Sequence, residues 1–428
     1  MVKDLLATLK ESKIAKDTIK IYIYQFISLA LGMIISVVIA RKLGAEGKGI
    51  VDLFGLQSNF IVEFGMLGFG SGILYYLANK KVEFKIVHGT AVVFCVAAGL
   101  AVSIIGITFI SQFETIFKGL DKNLLIVGFI ISPILFYKTI YSNLMVGLDK
   151  SAQSYKIGMY ISALNILLVL ICYYLNILIT RQVIYLTISI SIVSVLIFFI
   201  YLSKVSNGFR FDKLLLKNAL KFGIAVYVGN LANVLQFRVD QILINNFIGT
   251  SEMGIYNVSV KWAEMLFLLD GAVMGASLFK ISSLEGKDSF ELTNRLFKVQ
   301  ALISGIGGIF LIIFSYPLIK ILYGQEFIGA VVPLIILVPG IISWSISKFF
   351  SVMLSYNSNK AWFCTISTIA GLIINIILNL IILNLGYGIS FIALSSSVSY
   401  TITALIIYLR FRRLGDREAC ERNNSSNI

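Results

Sequence analysis

Long apolar runs separated by short polar breaks organise the whole chain. Twelve runs can be drawn, at about 18–40, 50–78, 87–111, 124–146, 154–175, 183–203, 221–246, 253–280, 296–319, 327–354, 361–384 and 387–409. A helix rises about 1.5 Å per residue, so about 20 apolar residues cross a bilayer core about 30 Å thick. Within each run the apolar residues are continuous and do not alternate. That pattern predicts helices and excludes a transmembrane β-barrel. The expected fold class is an all-α integral membrane protein of about twelve transmembrane helices.

The runs fall into two matching sets. The segment LGAEGKGI (43–50) returns as IGTSEMGI (248–255), an offset of 205 residues. Both read Leu or Ile, Gly, four residues, Gly-Ile, and both join one span to the next. An even number of spans separates the halves, so they point the same way. This predicts two six-helix lobes related by a pseudo-two-fold axis along the membrane normal. The expected organisation is an N-terminal lobe over 1–203, which begins with the amphipathic stretch MVKDLLATLKESKIAKDTIK. A basic linker over 204–220, a C-terminal lobe over 221–410 and a cytoplasmic tail over 411–428 follow. The tail should be basic at first and then polar and loose.

Placement of Lys and Arg sets direction. With the amino terminus in the cytoplasm, 25 basic residues fall in inward segments or the span ends beside them and 7 in outward loops. Both termini are therefore expected inside. The net charge of +14 then records topology and attraction to anionic lipid, and a nucleic-acid partner is not expected. Only 14% of residues are charged, against about 25% in soluble domains, which agrees with a surface facing lipid. No small-residue cleavage site follows an apolar core near the start, so no cleavable signal peptide is expected. Cys95, Cys172, Cys364 and Cys420 are scattered without metal or redox spacing, and His88 is the single histidine. No metal site and no phosphate-binding GxxxxGK loop are expected.

The chemistry lies in eight ionisable residues set more than three residues in from either end of their spans: Lys138, Arg238, Lys261, Lys348, Glu63, Asp240, Glu264 and Asp270. Facing lipid, they would cost roughly 20–28 kcal/mol on insertion scales, so they are expected to line a wet interior. Arg238 with Glu264 and Asp240 with Lys261 are possible ion pairs, since all four sit at similar depth on adjacent spans. Arg41 closes the first span. Lys348, near a span end, is expected to snorkel towards the interface. In GMLGFGSG (65–72), tight helix packing is favoured over unwinding. Asn375 and Asn379 share a face suited to hydrogen-bonding a neighbour. Pro333 and Pro339 are expected to kink the tenth span, and Trp344 and Trp362 to mark the membrane interface.

Several segments resemble one known family. FRVDQILINNFIGTSEMGIYNVSVKWAEML (237–266) is similar to the seventh and eighth spans of the Wzx-type polysaccharide flippases. These belong to the multidrug/oligosaccharidyl-lipid/polysaccharide exporter superfamily. ARKLGAEGKGI (40–50) resembles that family's first outer loop. LYGQEFIGAVVPLIIL (322–337) resembles its ninth-to-tenth-span junction, and IINIILNLIILNLGYGI (373–389) its eleventh span. One departure is that Gly388-Ile389 is followed by Ser390-Phe391 where the family has Gly-Ala. The resemblance implies a flippase, not an enzyme, that carries undecaprenyl-diphosphate-linked oligosaccharide to the outer leaflet of a bacterial inner membrane by alternating access. That cargo would serve O-antigen, lipopolysaccharide or capsule synthesis, with a polymerase and chain-length regulator as possible partners.

On this reading Arg41, Lys138, Arg238 and Lys261 are the expected substrate-binding residues. Glu63, Asp240, Glu264 and Asp270 would position them or carry a coupling proton or sodium ion, with no bound cofactor. The rivals are a multidrug/cation antiporter of the same fold and an integral-membrane polymerase or ligase. The second would need a large outer loop and a histidine suited to general-base catalysis, and this sequence supplies neither.

Overall fold

The computed structural model describes residues 13–284, 286–356, 358 and 360–425. Every regular element among them is helical. Residues 1–12, which hold most of the expected amphipathic stretch, and the last three residues of the tail lie outside the described residues. The chain forms two compact units, Met1–Val228 and Gly229–Ile428.

Unit 1 begins with α1 (Lys13–Met66), α2 (Phe69–Ala78), α3 (Phe84–Thr108), the short α4 (Ile110–Ile116), and α5 (Lys122–Ile130). It continues with α6 (Ser132–Gly147), α7 (Ser151–Tyr174), α8 (Thr180–Ser206) and the first part of α9 (Lys213–Phe247). A helix of 54 residues would be about 80 Å long, far more than one crossing needs. It is interrupted at Gly44, where φ is 69° and ψ −173°, a conformation open to glycine and strained for other residues. So α1 holds two spans. The segment 41–49, expected as an outer loop, is reduced to this one break, and Ala45, Gly47, Lys48 and Gly49 beyond it are already buried.

The second span breaks again between α1 and α2, where Leu67 (φ 48°) and Gly68 (φ 73°) are both left-handed. Unwinding therefore occurs where packing alone was expected. Packing occurs too: a Cβ on Gly68 would meet the backbone of Gly223, and one on Gly72 the backbone of Ala219, both on α9. A Cβ on Gly89 would lie 2.6 Å from the carbonyl oxygen of Arg210, in the segment leading to α9. Between α5 and α6 the axis bends by 47°. Pro133 accounts for this, since it has no N–H for the preceding turn and its ring excludes the carbonyl four residues back. By contrast α7 is peripheral, and Val169 is its one buried residue.

Unit 2 contains the rest of α9, α10 (Thr250–Glu264), α11 (Leu266–Ser283), α12 (Gly286–Leu322) and a 3-10 turn (Gln325–Ala330). It ends with α13 (Val331–Tyr356), α14 (Ala361–Asn384) and α15 (Ile389–Ser425). The turn from α9 into α10 is made at Gly249 (φ 140°), which stands 205 residues after Gly44. The repeated motif thus marks the same event in each half: a glycine break followed at once by a new helix. The core is built on α13, which buries Leu334, Leu337, Ile341, Phe349, Phe350 and Leu354. Gly340 of α13 allows close approach of Ser397 on α15, whose Cα would lie 2.5 Å from an added Cβ.

Pro333 is the third residue of α13, where a missing N–H costs no helical bond, and Pro339 lies inside that helix. Two expectations need correction. Trp344 is only 6% exposed and packs edge-on against Phe237 and Tyr400, whereas Trp362 is exposed. The tail is not loose throughout, since α15 stays helical to Ser425.

Among the described residues eight helices are long and apolar enough to cross a membrane, and the bent pair α5–α6 makes nine. Dividing α1 at Gly44 adds a tenth. The charge-bearing helices α9 and the broken pair α10–α11 complete the expected twelve. The glycine contacts give a direct test. Gly72→Ala is expected to cost about 1–3 kcal/mol through overpacking, read as a lower melting temperature of the detergent-solubilised protein. Gly158→Ala, with nothing within 4 Å of the added methyl, is expected to leave it unchanged.

Candidate functional site

Unit 1 holds a half-open cavity of about 510 Å³ between α1, α6 and α8. Two of the expected residues line it, Glu63 from α1 and Lys138 from α6. Lys138 donates to the hydroxyl of Ser191 at 3.0 Å, and Ser191 in turn donates to the carbonyl of Thr187 at 2.9 Å. Among the described residues no carboxylate pairs with Lys138 and no cation pairs with Glu63, although they share one wall-to-wall space. Ser58, Asn59 and Tyr141 add polar groups. The Tyr141 ring is held by stacking on Phe198, with centroids 3.8 Å apart, and its hydroxyl lies 3.3 Å from that of Ser194. The arrangement can hold an anionic or hydroxyl-rich group against the ammonium, with hydroxyl and amide groups and the Glu63 carboxylate elsewhere on the lining.

The remaining charges of unit 1 are placed differently. Arg41 is exposed on α1, three residues before the Gly44 break. Lys48 and Asp52 form a buried ion pair one helical turn apart on α1, with side chains 1% and 6% exposed. Sequence reasoning missed this pair because Lys48 read as a loop residue. His88 is fully buried, shares a 2.9 Å hydrogen bond with Tyr137 and stacks on Phe84.

The expected acids of unit 2 sit at three centres: Glu264 and Asp270 in ion pairs, and Asp240 among neutral donors. Arg238 and Glu264 make a two-pronged pair, Nη1 to Oε1 at 2.9 Å and Nη2 to Oε2 at 3.1 Å. Both side chains are partly accessible, at 27% and 21%. This is the first of the two expected matings. The second is absent: Asp240 accepts from Tyr256 at 2.5 Å, from Ser396 at 3.2 Å and from the Gln241 backbone at 2.8 Å. Lys261 is half-buried on α10. Asp240 is 1% exposed, so an acid is sealed into the unit with neutral donors only. Asn375 and Asn379 extend this network, Asn375 donating to Ser396 at 3.2 Å and Asn379 to Asn375 at 2.7 Å.

The other ionic centre is Asp270 with Lys348, 3.0 Å apart. The expectation that Lys348 snorkels is corrected. Its ammonium turns inward to a carboxylate across two helices and passes over the ring of Phe267 at 4.0 Å. Gln300 of α12 and Ser345 of α13 also donate to Asp270. These partners were beyond sequence reasoning, because uncharged Gln and Ser within apolar runs give no signal that they share an acid.

Residues 38–332 match the family described as polysaccharide biosynthesis protein, and the chain belongs to that family. The fold is that of the MOP superfamily exporters. A lipid II flippase, MurJ, in an inward closed conformation superposes with a TM-score of 0.76 at 17% identity, covering 94% of this chain and 91% of that one. A point mutant of a MATE protein superposes with a TM-score of 0.67 at 16% identity, covering 96% and 98%. A MOP superfamily transporter from Pyrococcus furiosus, described as having a binding pocket of reverse polarity, gives 0.65 at 14%, also covering 96% and 98%. No curated protein matches the chain.

Arg238–Glu264 provides the test of this geometry. Removing either charge, as in Glu264→Gln, is expected to cost about 1.5–3 kcal/mol for a charge-assisted bond. The exchanged pair Arg238→Glu with Glu264→Arg is expected to recover part of that loss in thermal unfolding.

Proposed function

We propose that this chain is a flippase for undecaprenyl-diphosphate-linked oligosaccharide repeat units, acting in surface polysaccharide synthesis such as O-antigen or capsule. A diphosphate and a string of sugar hydroxyls cannot cross hydrocarbon unaided, while a polyprenyl tail stays in lipid. A carrier for such a cargo needs a cation held within the bilayer span and not cancelled by a protein acid. The observation that carries the reading is Lys138, an ammonium facing a cavity of about 510 Å³ with a hydroxyl as its hydrogen-bond partner. Membership of a polysaccharide biosynthesis family supports it, and the similar fold of MurJ, described as a lipid II flippase, agrees with it.

In this proposal Lys138 holds the anionic head group, with Arg41 and Lys261 as further basic contacts. Arg238 contributes through its accessible edge while Glu264 fixes its plane. Asp240, buried among neutral donors, is the proposed carrier of a coupling proton or sodium ion. The membrane is the bacterial inner membrane with both termini cytoplasmic. A polymerase and a chain-length regulator are the proposed neighbours.

Glu63 favours a second reading. An acid without a cationic partner in the same cavity suits export of an organic cation by an ion-coupled antiporter. Two experiments separate the readings. Deleting the gene and extracting lipids is expected to show intact lipid-linked repeat units accumulating unexported, and Lys138→Gln is expected to cut surface polysaccharide at least about tenfold at normal protein level. Normal surface polymer in both strains, with dye efflux by the purified protein, would favour the antiporter.

A further inference from the structure

The two buried acids of unit 2 are compensated in opposite ways. Asp240 is met by neutral donors, whereas Asp270 is met by the ammonium of Lys348 at 3.0 Å. Among the described residues Lys348 is the one charged group in contact with Asp270. Its other partners, Gln300 at 2.6 Å and the Ser345 hydroxyl, do not titrate near neutrality, and neither does Ser304, which Gln300 also contacts at 2.6 Å. The pair is lopsided in its exposure: the Asp270 side chain is 3% accessible and that of Lys348 38%. The acid closes one face of the ammonium and the Phe267 ring another, and 38% of the side chain is left accessible to an approaching ligand.

A ligand more highly charged than a carboxylate, offered from the open side, draws Lys348 away. Asp270 then has no second cation in contact among the described residues. An unpaired carboxylate in a dry interior is unfavourable, and the usual outcome is protonation. The site already holds an acceptor suited to the neutral acid. The Oε1 atom of Gln300 is buried without a hydrogen-bond partner, in a residue that is fully buried. Turning the amide over would point that oxygen at an Asp270 O–H and at the Ser304 and Ser345 hydroxyls, which the nitrogen now contacts.

We propose that Lys348 is a second head-group contact, for which the diphosphate and Asp270 compete, and that Asp270 takes up a proton as the head group displaces it. The proposal rests on the flippase reading above and extends it to coupling. Before the exchange the site holds an Asp270 carboxylate with the Lys348 ammonium. Afterwards the ammonium faces a phosphate oxygen and Asp270 is a carboxylic acid, its proton drawn from water. Release of the head group reverses both changes, and the only covalent bond made or broken is O–H. Loading at this site is therefore tied to proton uptake and unloading to proton release.

The test uses the full chain in lipid nanodiscs with farnesyl diphosphate as the probe. Binding heats measured near neutral pH in buffers of differing ionisation enthalpy report protons taken up per molecule bound. The wild type is expected to take up about one proton per diphosphate, and Asp270→Asn to bind with none. Lys348→Gln is expected to bind about tenfold more weakly. Binding by the wild type without proton uptake, or uptake that persists in Asp270→Asn, overturns the coupling and leaves the flippase reading standing. Failure of the wild type to bind farnesyl diphosphate at all overturns both.

Discussion

A charge inside a membrane-spanning helix must be answered by some other group, because the hydrocarbon offers nothing to solvate it. In this chain the answers fall into two kinds. Lys48 with Asp52, Arg238 with Glu264 and Lys348 with Asp270 are answered by opposite charge. Lys138 and Asp240 are answered by hydroxyls, amides and backbone. The first kind is self-sufficient and ties helices together. The second leaves net charge inside the bundle, which a ligand or an ion can complete. The embedded charges are therefore not one cationic tunnel. They form a set of closed pairs beside a few open positions.

The backbone faces the same demand. Breaking a helix inside a bilayer frees N–H and C=O groups, and such breaks survive where protein covers them. Gly44 and Gly249 break the helix without spare loop: Ala45 is buried directly after the first, and burial resumes at Met253 after the second. The Leu67–Gly68 break lies against the Gly223 backbone of α9. These breaks also aim the chemistry. The reversal at Gly44 leads directly to Lys48 and Asp52, and that at Gly249 into the helix carrying Tyr256 and Glu264.

The span count, the helical class and the repeat were legible because hydrophobic length and a glycine pair are one-dimensional signals. The 205-residue offset needed no contact information. Lys138 and Glu63 stood out for the same reason, as charges in apolar runs, and the structure places both on one cavity. What could not be read was pairing. Asp240 and Lys261 lie at matching depth, yet Tyr256 and Ser396 take the acid, because depth fixes height and not rotation about the helix axis. Lys348 was misjudged likewise: position near a span end suggested the interface, while its partner Asp270 lies 78 residues away in sequence. One signal was available and unused. Thr187, Ser191 and Ser194 are spaced four and three apart in an apolar helix, which marks a single polar face.

Peripheral α7 has a practical corollary. Across 24 residues it fully buries one side chain, Val169, with Cys172 packed partly buried beside it. Its outer positions answer only to the solvent around them, so apolar exchange there should be silent in function. Variation among related chains is expected to pool on this helix, while the glycines at 68, 72 and 89 stay fixed. The same freedom makes α7 a natural seat for a spectroscopic label, where a probe reports on surrounding lipid without disturbing the cavity behind it.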